Sequence, residues 1–377
     1  MDETEPPPPA RVSAYAAVGA RLSLLSDRGL GEVVAAAPAH GSGIGGRRTE
    51  IEVEGVPVFV KRVPLTDLET RPEHVRSTAN LFELPLFYQY GVGSAGFGAW
   101  RELAAHIMTT AWVLRNEYSG FPLLYHWRVL PDRPPADFAD AFGGVDGAVA
   151  HWEGSPAVRR RLEAIGACSF SLVLFLEHVP QTLGGWLGDA REAALTEPGG
   201  DAPYGWAEAA VRRGVEFMSA RGLVHFDTHF ANVLTDGRQV YFADFGLALS
   251  RDFRLSAPEA AFLSDHLVYD RSYAPGHLLR HHLPEAVRDG KDHSTFLGEW
   301  ASGHRPGGVP AAIGAILDRH APHAVVLDDF HRRLLTESKR TPFPAAAIRA
   351  ALATASATEA DQGSTGTLGP DSADALA

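Results

Sequence analysis

Two stretches decide how this chain folds: Val224-His225-Phe226-Asp227-Thr228-His229-Phe230-Ala231-Asn232-Val233-Leu234 and, shortly after, Phe242-Ala243-Asp244-Phe245-Gly246. Asp227 and Asn232 lie five residues apart on a predicted loop, and Asp244 ends a short apolar run that is typical of a strand. A hairpin is predicted between the stretches, because Asp236-Gly237 is typical of a two-residue hairpin turn. The hairpin brings three oxygen-bearing side chains together.

Two carboxylates and an amide in one place suit phosphoryl transfer from ATP. A carboxylate can orient and deprotonate the attacking hydroxyl, and hard oxygen ligands hold Mg²⁺ on the phosphates. The pattern resembles the catalytic and magnesium loops of the protein-kinase-like superfamily, where His-x-Asp is followed by Asn and then by Asp-Phe-Gly. The resemblance implies that Asp227 is the catalytic base and that Asn232 and Asp244 bind Mg²⁺. It also implies that His225 supports the loop.

Two other interpretations of this segment stay open. In the first, Asp227, Asn232 and Asp244 only cap or begin turns, as Asp and Asn commonly do. In the second, His225, Asp227 and His229 alternate along the chain and face one metal ion in a metal-dependent hydrolase. A hydrolytic metal site does not explain why Asp-Phe-Gly follows.

A glycine pattern precedes the strands of the first half. Gly41-Ser42-Gly43-Ile44-Gly45-Gly46 fits Gly-x-Gly-x-x-Gly, so that Gly41, Gly43 and Gly46 are expected to bring backbone N–H groups close to phosphates. The bland alternative is a flexible turn. Lys61 follows on a predicted strand, and it is one of only three lysines in the chain. In the family, a lysine in this position binds the α and β phosphates.

The remaining ATP contacts are implied by the same resemblance. Lys61 needs a carboxylate partner from a helix, and Glu102 on the helix predicted from Trp100 to Leu114 is the first candidate. Glu177 and Val179 follow an apolar strand that resembles the hinge, whose backbone would bind adenine, with Leu176 at the back of that pocket. The alternatives to Glu102 are Glu69, Glu73 and Glu83.

A strand-rich first half and a helix-rich second half predict an α+β chain, and the resemblance implies a bilobal kinase-like fold. The expected boundaries are a disordered leader at 1–14, a small lobe at 15–179 with an insertion at about 64–99, a helical lobe at 180–354 and a disordered acidic tail at 355–377. Strands are expected at 123–130 and 169–177. Ser256 is expected to cap a helix whose first turn contains Pro258 and Glu259.

Composition excludes several classes of protein. The net charge of −12 argues against general nucleic-acid binding, which depends on neutralising phosphates. The single cysteine, Cys168, rules out an intramolecular disulfide framework. No apolar run is long enough to span a membrane, and the acidic, proline-rich start is unlike a signal peptide, so a cytoplasmic location is expected.

The nature of the acceptor is left open by the sequence. Phe226 stands where protein kinases that are controlled by a phosphorylated loop carry arginine, and His229 resembles small-molecule phosphotransferases. Arg48 stands where the family usually has a valine over the adenine. The chain is therefore expected to be a kinase that uses ATP and Mg²⁺ to phosphorylate a hydroxyl of a protein or of a small molecule. The alternative is a nucleotide-binding pseudokinase without turnover.

Overall fold

The computed structural model describes residues 9–43, 46–91, 93–134 and 138–364. The strands are β1 (Ala39–Gly43), β2 (Gly46–Val53), β3 (Val56–Leu65), β4 (Leu124–Pro131), β5 (Phe170–Glu177), β6 (Gln181–Thr182), β7 (Leu223–Val224), β8 (Val233–Thr235), β9 (Val240–Phe242) and β10 (Leu249–Ser250). The helices of the first half are α1 (Pro9–Ser23), α2 (Asp27–Ala36), α3 (Ala99–Leu114), α4 (Gly144–His151) and α5 (Pro156–Ala167). Those of the second half are α6 (Leu183–Asp189), α7 (Ala193–Thr196), α8 (Ala202–Ala220), α9 (Ala257–His266), α10 (Tyr269–His281), α11 (His293–Ala301), α12 (Ala311–Thr336) and α13 (Ala345–Ser364).

A five-stranded antiparallel sheet forms the first half, in the order β1-β2-β3-β5-β4. Lys61 on β3 lies opposite Arg48 on β2 and opposite Leu174 on β5. Helices dominate the second half, and the short strands β6, β8 and β9 form a small separate sheet there. The predicted α+β class, with a sheet part followed by a helical part, is confirmed.

Both faces of the large sheet are covered, which explains the unbroken apolar run of β5. Leu172, Leu174 and Leu176 pack with residues of α3 on one face. Val173 and Phe175 belong to the main core on the other face, which includes residues of α1 and α2. Strands that are buried on both faces lose the alternation of apolar and polar residues. The expected strand and the helix α3 therefore both appear, within one residue of their predicted bounds.

The expected disordered leader at 1–14 is wrong for its last residues, because α1 begins at Pro9. Proline is tolerated in the first turn of a helix, where its missing N–H costs nothing. Val18 and Leu22 of this helix are buried. Arg11 is anchored against Glu177, with distances of 2.7 Å from Nε to Oε1 and 2.7 Å from Nη2 to Oε2. Tertiary contacts therefore order this helix, and residues 1–8 lie outside the described part.

The chain end also differs from expectation. The tail was expected to begin at 355, whereas α13 continues to Ser364. Ile348 in this helix is fully buried, so its first turns are held by packing. The remainder of the expected tail, 365–377, lies outside the described residues. None of the described helices combines the length and the apolar character needed to cross a membrane.

The predicted hairpin between the two site segments has a longer loop than expected. The last strand pair is Thr235 with Val240, so four residues form the turn instead of two. The Oδ1 atom of Asp236 accepts hydrogen bonds from the N–H groups of Arg238 and Gln239, both at 2.8 Å. An Asx-type turn closed by Asp236 replaces the expected two-residue turn.

The predicted insertion forms a long connection from β3 to α3. Its described residues include a short 3₁₀ helix, Leu86–Gln89, and several buried aromatic contacts, such as the ring of Tyr88 against Trp152 at 4.7 Å. The Trp100 indole N–H donates to the carbonyl of Glu69 at 2.9 Å, which ties the connection to α3. This connection therefore packs as part of the core.

Candidate active site

Lys61 lies at the centre of a charged cluster between the sheet part and the helical part. Its Nζ atom is 2.6 Å from Oε1 of Glu102 on α3 and 2.7 Å from Oδ1 of Asp244, which follows β9. Burial alone would lower the pKa of Lys61, but the charges of Asp244 and Glu102 outweigh it and hold the pKa above its usual value. Lys61 is therefore a fixed positive charge at neutral pH.

The alternatives to Glu102 lie elsewhere. Glu69 is buried and pairs with Arg161, with 2.8 Å between Oε2 and Nη1. Glu73 and Glu83 line an open groove beside the start of α9. Of the four candidates weighed from the sequence, Glu102 is the one whose carboxylate reaches Lys61.

Asp244 adopts a left-handed backbone conformation, with φ of 63°. Such a conformation is uncommon for a residue with a side chain and is often found at functional sites. The next residue, Phe245, is fully buried, with its ring 5.1 Å from the ring of His106 on α3 and 4.9 Å from that of His225. Phe245 therefore packs beneath α3 while Asp244 turns toward Lys61.

Asn232 holds the loop of Asp227 in place. Its Nδ2 atom donates to the carbonyl oxygen of Asp227 at 3.1 Å and to the carboxylate Oδ2 at 2.9 Å. Among the described residues, no donor reaches its Oδ1 atom. This oxygen is thus available to a cation.

His225 and Asp270 support the same loop from below. The Nε2 atom of His225 donates to the carbonyl of Ala243 at 2.9 Å, and its Nδ1 accepts the N–H of Asp227 at 3.3 Å. Asp270 on α10 accepts the N–H groups of His225 and Phe226 at 2.5 and 3.1 Å. The role of Asp270 was missed from the sequence, because nothing in the first turn of α10 marks a carboxylate that accepts hydrogen bonds from a distant loop.

The two carboxylates of the site have opposite pKa shifts. Burial raises the pKa of Asp227 to about 7, and the negative charge of Asp244 adds to the rise. Burial would also raise the pKa of Asp244, but the charge and hydrogen bond of Lys61 hold it well below its usual range. Asp244 is thus ionised, whereas Asp227 titrates near neutral pH, as suits an acceptor of a proton.

An apolar cavity of about 250 Å³ adjoins the charged cluster. Its walls include Phe59, Pro122, Leu176 and Val179, and its charged end includes Lys61, Asn232 and Asp244. The backbone N–H of Glu177 donates to the carbonyl oxygen of Leu123 at 2.8 Å, and the Glu177 carboxylate forms an ion pair with Arg11. The N–H of Val179 donates to no backbone carbonyl within the described residues, so it is free for a ligand.

The glycine pattern lies partly outside the described residues, which lack Ile44 and Gly45. Gly41 and Gly43 belong to β1 and Gly46 to β2, and Gly43 pairs with Gly46. Gly46 has φ of 115°, and a Cβ placed there would lie 2.1 Å from the carbonyl oxygen of Arg62. The close contact with β3 by itself explains why position 46 is glycine, without a phosphate ligand.

Arg48 is a further charged residue of the site, and its role was missed from the sequence. Its guanidinium reaches from β2 to Oδ2 of Asp244, at 3.3 Å, and half of its side chain is exposed. It lines both the apolar cavity and a second cavity near Asp227. The sequence could have indicated this role, because the predicted hairpin of β2 and β3 places Arg48 opposite Lys61.

The donor set fits Mg²⁺. Asp244 is an ionised carboxylate and Asn232 has a free amide oxygen, and Mg²⁺ prefers oxygen ligands completed by water and phosphate. No group of three or more His, Cys, Asp or Glu residues suited to a metal ion occurs among the described residues. Both ring nitrogens of His225 are occupied by hydrogen bonds, which counts against the alternating metal site.

No protein-family model matches this chain, and no curated protein matches its sequence.

Proposed function

We propose that this chain is an ATP-dependent phosphotransferase of the protein-kinase-like fold, which transfers the γ-phosphoryl group to a hydroxyl. The observation that carries the proposal is the contact of Lys61 with Glu102 and Asp244 beside the loop of Asp227 and Asn232. These residues come from β3, α3 and two loops of the helical part. Burying charged groups costs free energy, and capping turns does not require it. The burial of Lys61 between two carboxylates is therefore not explained if these residues only cap turns.

Several features support ATP as the ligand. The apolar cavity is lined by Phe59, Pro122 and Leu176 and includes Val179, whose N–H is free, and such a lining suits a purine. Lys61 and Arg48 supply positive charge where the triphosphate would lie. Mg²⁺ held by Asn232 and Asp244 would neutralise charge on the phosphates during transfer.

Asp227 has the position and protonation behaviour of the catalytic base. The acceptor oxygen attacks the γ-phosphorus, and the bond from that phosphorus to the β,γ-bridging oxygen breaks to leave ADP. The hydroxyl proton passes to the Asp227 carboxylate, which the pKa of about 7 leaves largely ionised above neutral pH. Asn232 fixes this carboxylate through its hydrogen bond of 2.9 Å. Positioning and charge neutralisation supply most of the rate.

A thermal-shift titration with ATP, with and without Mg²⁺, tests nucleotide binding. A ligand at 100 times its dissociation constant stabilises a protein by about 2.7 kcal/mol, which gives a measurable rise in Tm. We expect a Mg²⁺-dependent rise in the wild type and its loss in Asp244→Asn. Asp252→Asn is the matched control, because Asp252 is an exposed carboxylate outside the site.

Turnover is the second measurement, since a pseudokinase would also bind ATP. With water as the acceptor in the absence of a substrate hydroxyl, we expect slow release of ADP and phosphate by the wild type and its loss in Asp227→Asn, with the Mg-ATP shift kept. Binding without any turnover would favour the pseudokinase. The absence of a shift in the wild type would contradict the proposed function itself.

A further inference from the structure

We infer that the acceptor is a compact, polyhydroxylated small molecule about the size of one sugar ring, bound in the cavity beside Asp227, and that protein side chains are excluded. The inference rests on the proposed function and names the substrate class of the same site. It is carried by a glycine-rich part of the connection between β3 and α3, here called the roof segment and defined as Gly91 and residues 93–98.

The roof segment lies directly on the residues that would perform catalysis. A Cβ atom added to Gly91 would be 2.7 Å from Oδ1 of Asp227, and one added to Gly96 would be 2.5 Å from the carbonyl oxygen of Gly246. The backbone approaches these atoms more closely than any side chain would permit. The roof segment therefore covers this side of Asp227, and we expect it to exclude an extended peptide there.

Buried contacts hold the residues around the roof segment in place. The side chain of Gln89 donates to the carbonyl of Leu247, and the hydroxyl of Tyr90 is 2.7 Å from Nε2 of His266. At the other end, the N–H of Ala99 donates to Oε1 of Glu69 at 2.8 Å. Displacement of the roof segment would break these hydrogen bonds and leave buried polar atoms unpaired, which costs free energy.

The chain after Gly246 turns directly into paired structure. Strand β10, Leu249–Ser250, pairs at once with β7, and α9 begins at Ala257. Ser256 caps α9 as expected from the sequence, through a capping box with Glu259. Only residues 251–256 connect β10 to α9, and Ser256 belongs to the helix cap.

The cavity beneath the roof segment has a volume of about 250 Å³, and the γ-phosphate must enter it too. Pockets for drug-sized ligands are larger, at about 300–1,000 Å³. Its wall carries hydrogen-bonding groups on Ser94, His229 and Asn232. The charged Arg161 in the wall is already paired with Glu69 at 2.8 Å. The other charged residues of the wall are Arg48, Lys61, Glu102, Asp227 and Asp244, which are those proposed to act on ATP, Mg²⁺ and the acceptor hydroxyl. A small molecule with several hydroxyl groups matches the remaining polar groups of this wall.

The test is transfer of labelled γ-phosphate from Mg-ATP by the wild-type chain into two acceptor pools. One pool holds monosaccharides and polyols, and the other holds a Ser/Thr peptide library with casein. We expect the label in the first pool and none above background in the second. Label in peptides or casein would overturn the inference and leave the proposed function intact. Transfer into neither pool, with the Mg-ATP thermal shift present, would overturn it as well.

A variant of the cavity wall links the acceptor to this cavity. Ser94→Leu fills the space, and Ser94→Ala is the matched variant that adds no bulk. We expect Ser94→Leu to raise the acceptor KM by about 10-fold or more, as steric rejection in a pocket does. Ser94→Ala should change it much less, and the Mg-ATP thermal shift should persist in both variants. An unchanged acceptor KM in a folded Ser94→Leu protein would place the acceptor elsewhere.

Discussion

The guanidinium of Arg101 lies 2.5 Å from the carboxylate of Glu259, and both side chains are almost fully buried. Arg101 precedes Glu102 on α3, whereas Glu259 belongs to the first turn of α9. The ion pair thus joins the helix that presents Glu102 to Lys61 with the helix that follows the segments of Asp227 and Asp244. The pair therefore holds α3 in the position in which Glu102 contacts Lys61, and no phosphorylated residue is needed for this contact.

Breaking this ion pair is expected to destabilise the protein. Arg101→Met leaves the Glu259 carboxylate buried without its partner, and loss of one member of a buried pair costs about 3–5 kcal/mol. Urea unfolding measures the free energy. The double variant Arg101→Met, Glu259→Gln removes the stranded charge and should recover part of the loss. The single variant Glu259→Gln completes the cycle, and a loss in the double variant equal to the sum of the two single losses would show that the two residues are not coupled.

The pH dependence of turnover is expected to follow Asp227. The base acts only when it is deprotonated, and burial raises its pKa to about 7. The value of kcat/KM should therefore fall as the pH drops below about 7, by about tenfold per pH unit, and level off above it. Asp227→Asn should lack this limb and be slower by about 10²–10⁴-fold. A limb that persists unchanged in Asp227→Asn would assign it to another group.

Arg48 is expected to contribute to ATP affinity. It reaches Asp244 from above, and a triphosphate bound beside Lys61 would offer it a stronger partner than this contact. Arg48→Leu should raise the KM for ATP by about 10-fold, which corresponds to one charge-assisted hydrogen bond of about 1.5 kcal/mol. The control is Arg28→Leu, since Arg28 is a highly exposed arginine on α2. Equal KM values in the two variants would contradict a phosphate contact.

Asp270 is expected to be essential for the shape of the loop that carries Asp227. It accepts two buried N–H groups, from His225 and Phe226, and Phe226 has a left-handed φ of 65°. Asp270→Asn keeps one acceptor oxygen and leaves the second N–H facing an amide donor, at a cost of about 1–3 kcal/mol. Both Tm and kcat should fall. The control is Asp265→Asn, at an exposed carboxylate on α9, which should change neither Tm nor kcat. A normal kcat in Asp270→Asn would contradict the role of Asp270 in shaping the loop.

Local pattern was enough to predict the α+β class and the main elements. The apolar run of β5 and the helical stretch of α3 appear within one residue of the expected bounds, because each is long and strongly patterned. The leader was predicted wrongly, since α1 depends on the distant pair of Arg11 with Glu177. The turn at Asp236 differed because its side chain closes a longer loop.

The sequence by itself determined which residue types could perform phosphoryl transfer: the spacing of Asp227, Asn232 and Asp244, and one lysine on a strand. Spacing is a local property and is written directly in the chain. Only the tertiary structure decided that Glu102 reaches Lys61, that Arg48 meets Asp244, and that the roof segment closes over Asp227. These contacts join residues far apart in the chain, so they depend on how α3 and its preceding connection pack between the sheet and the helices.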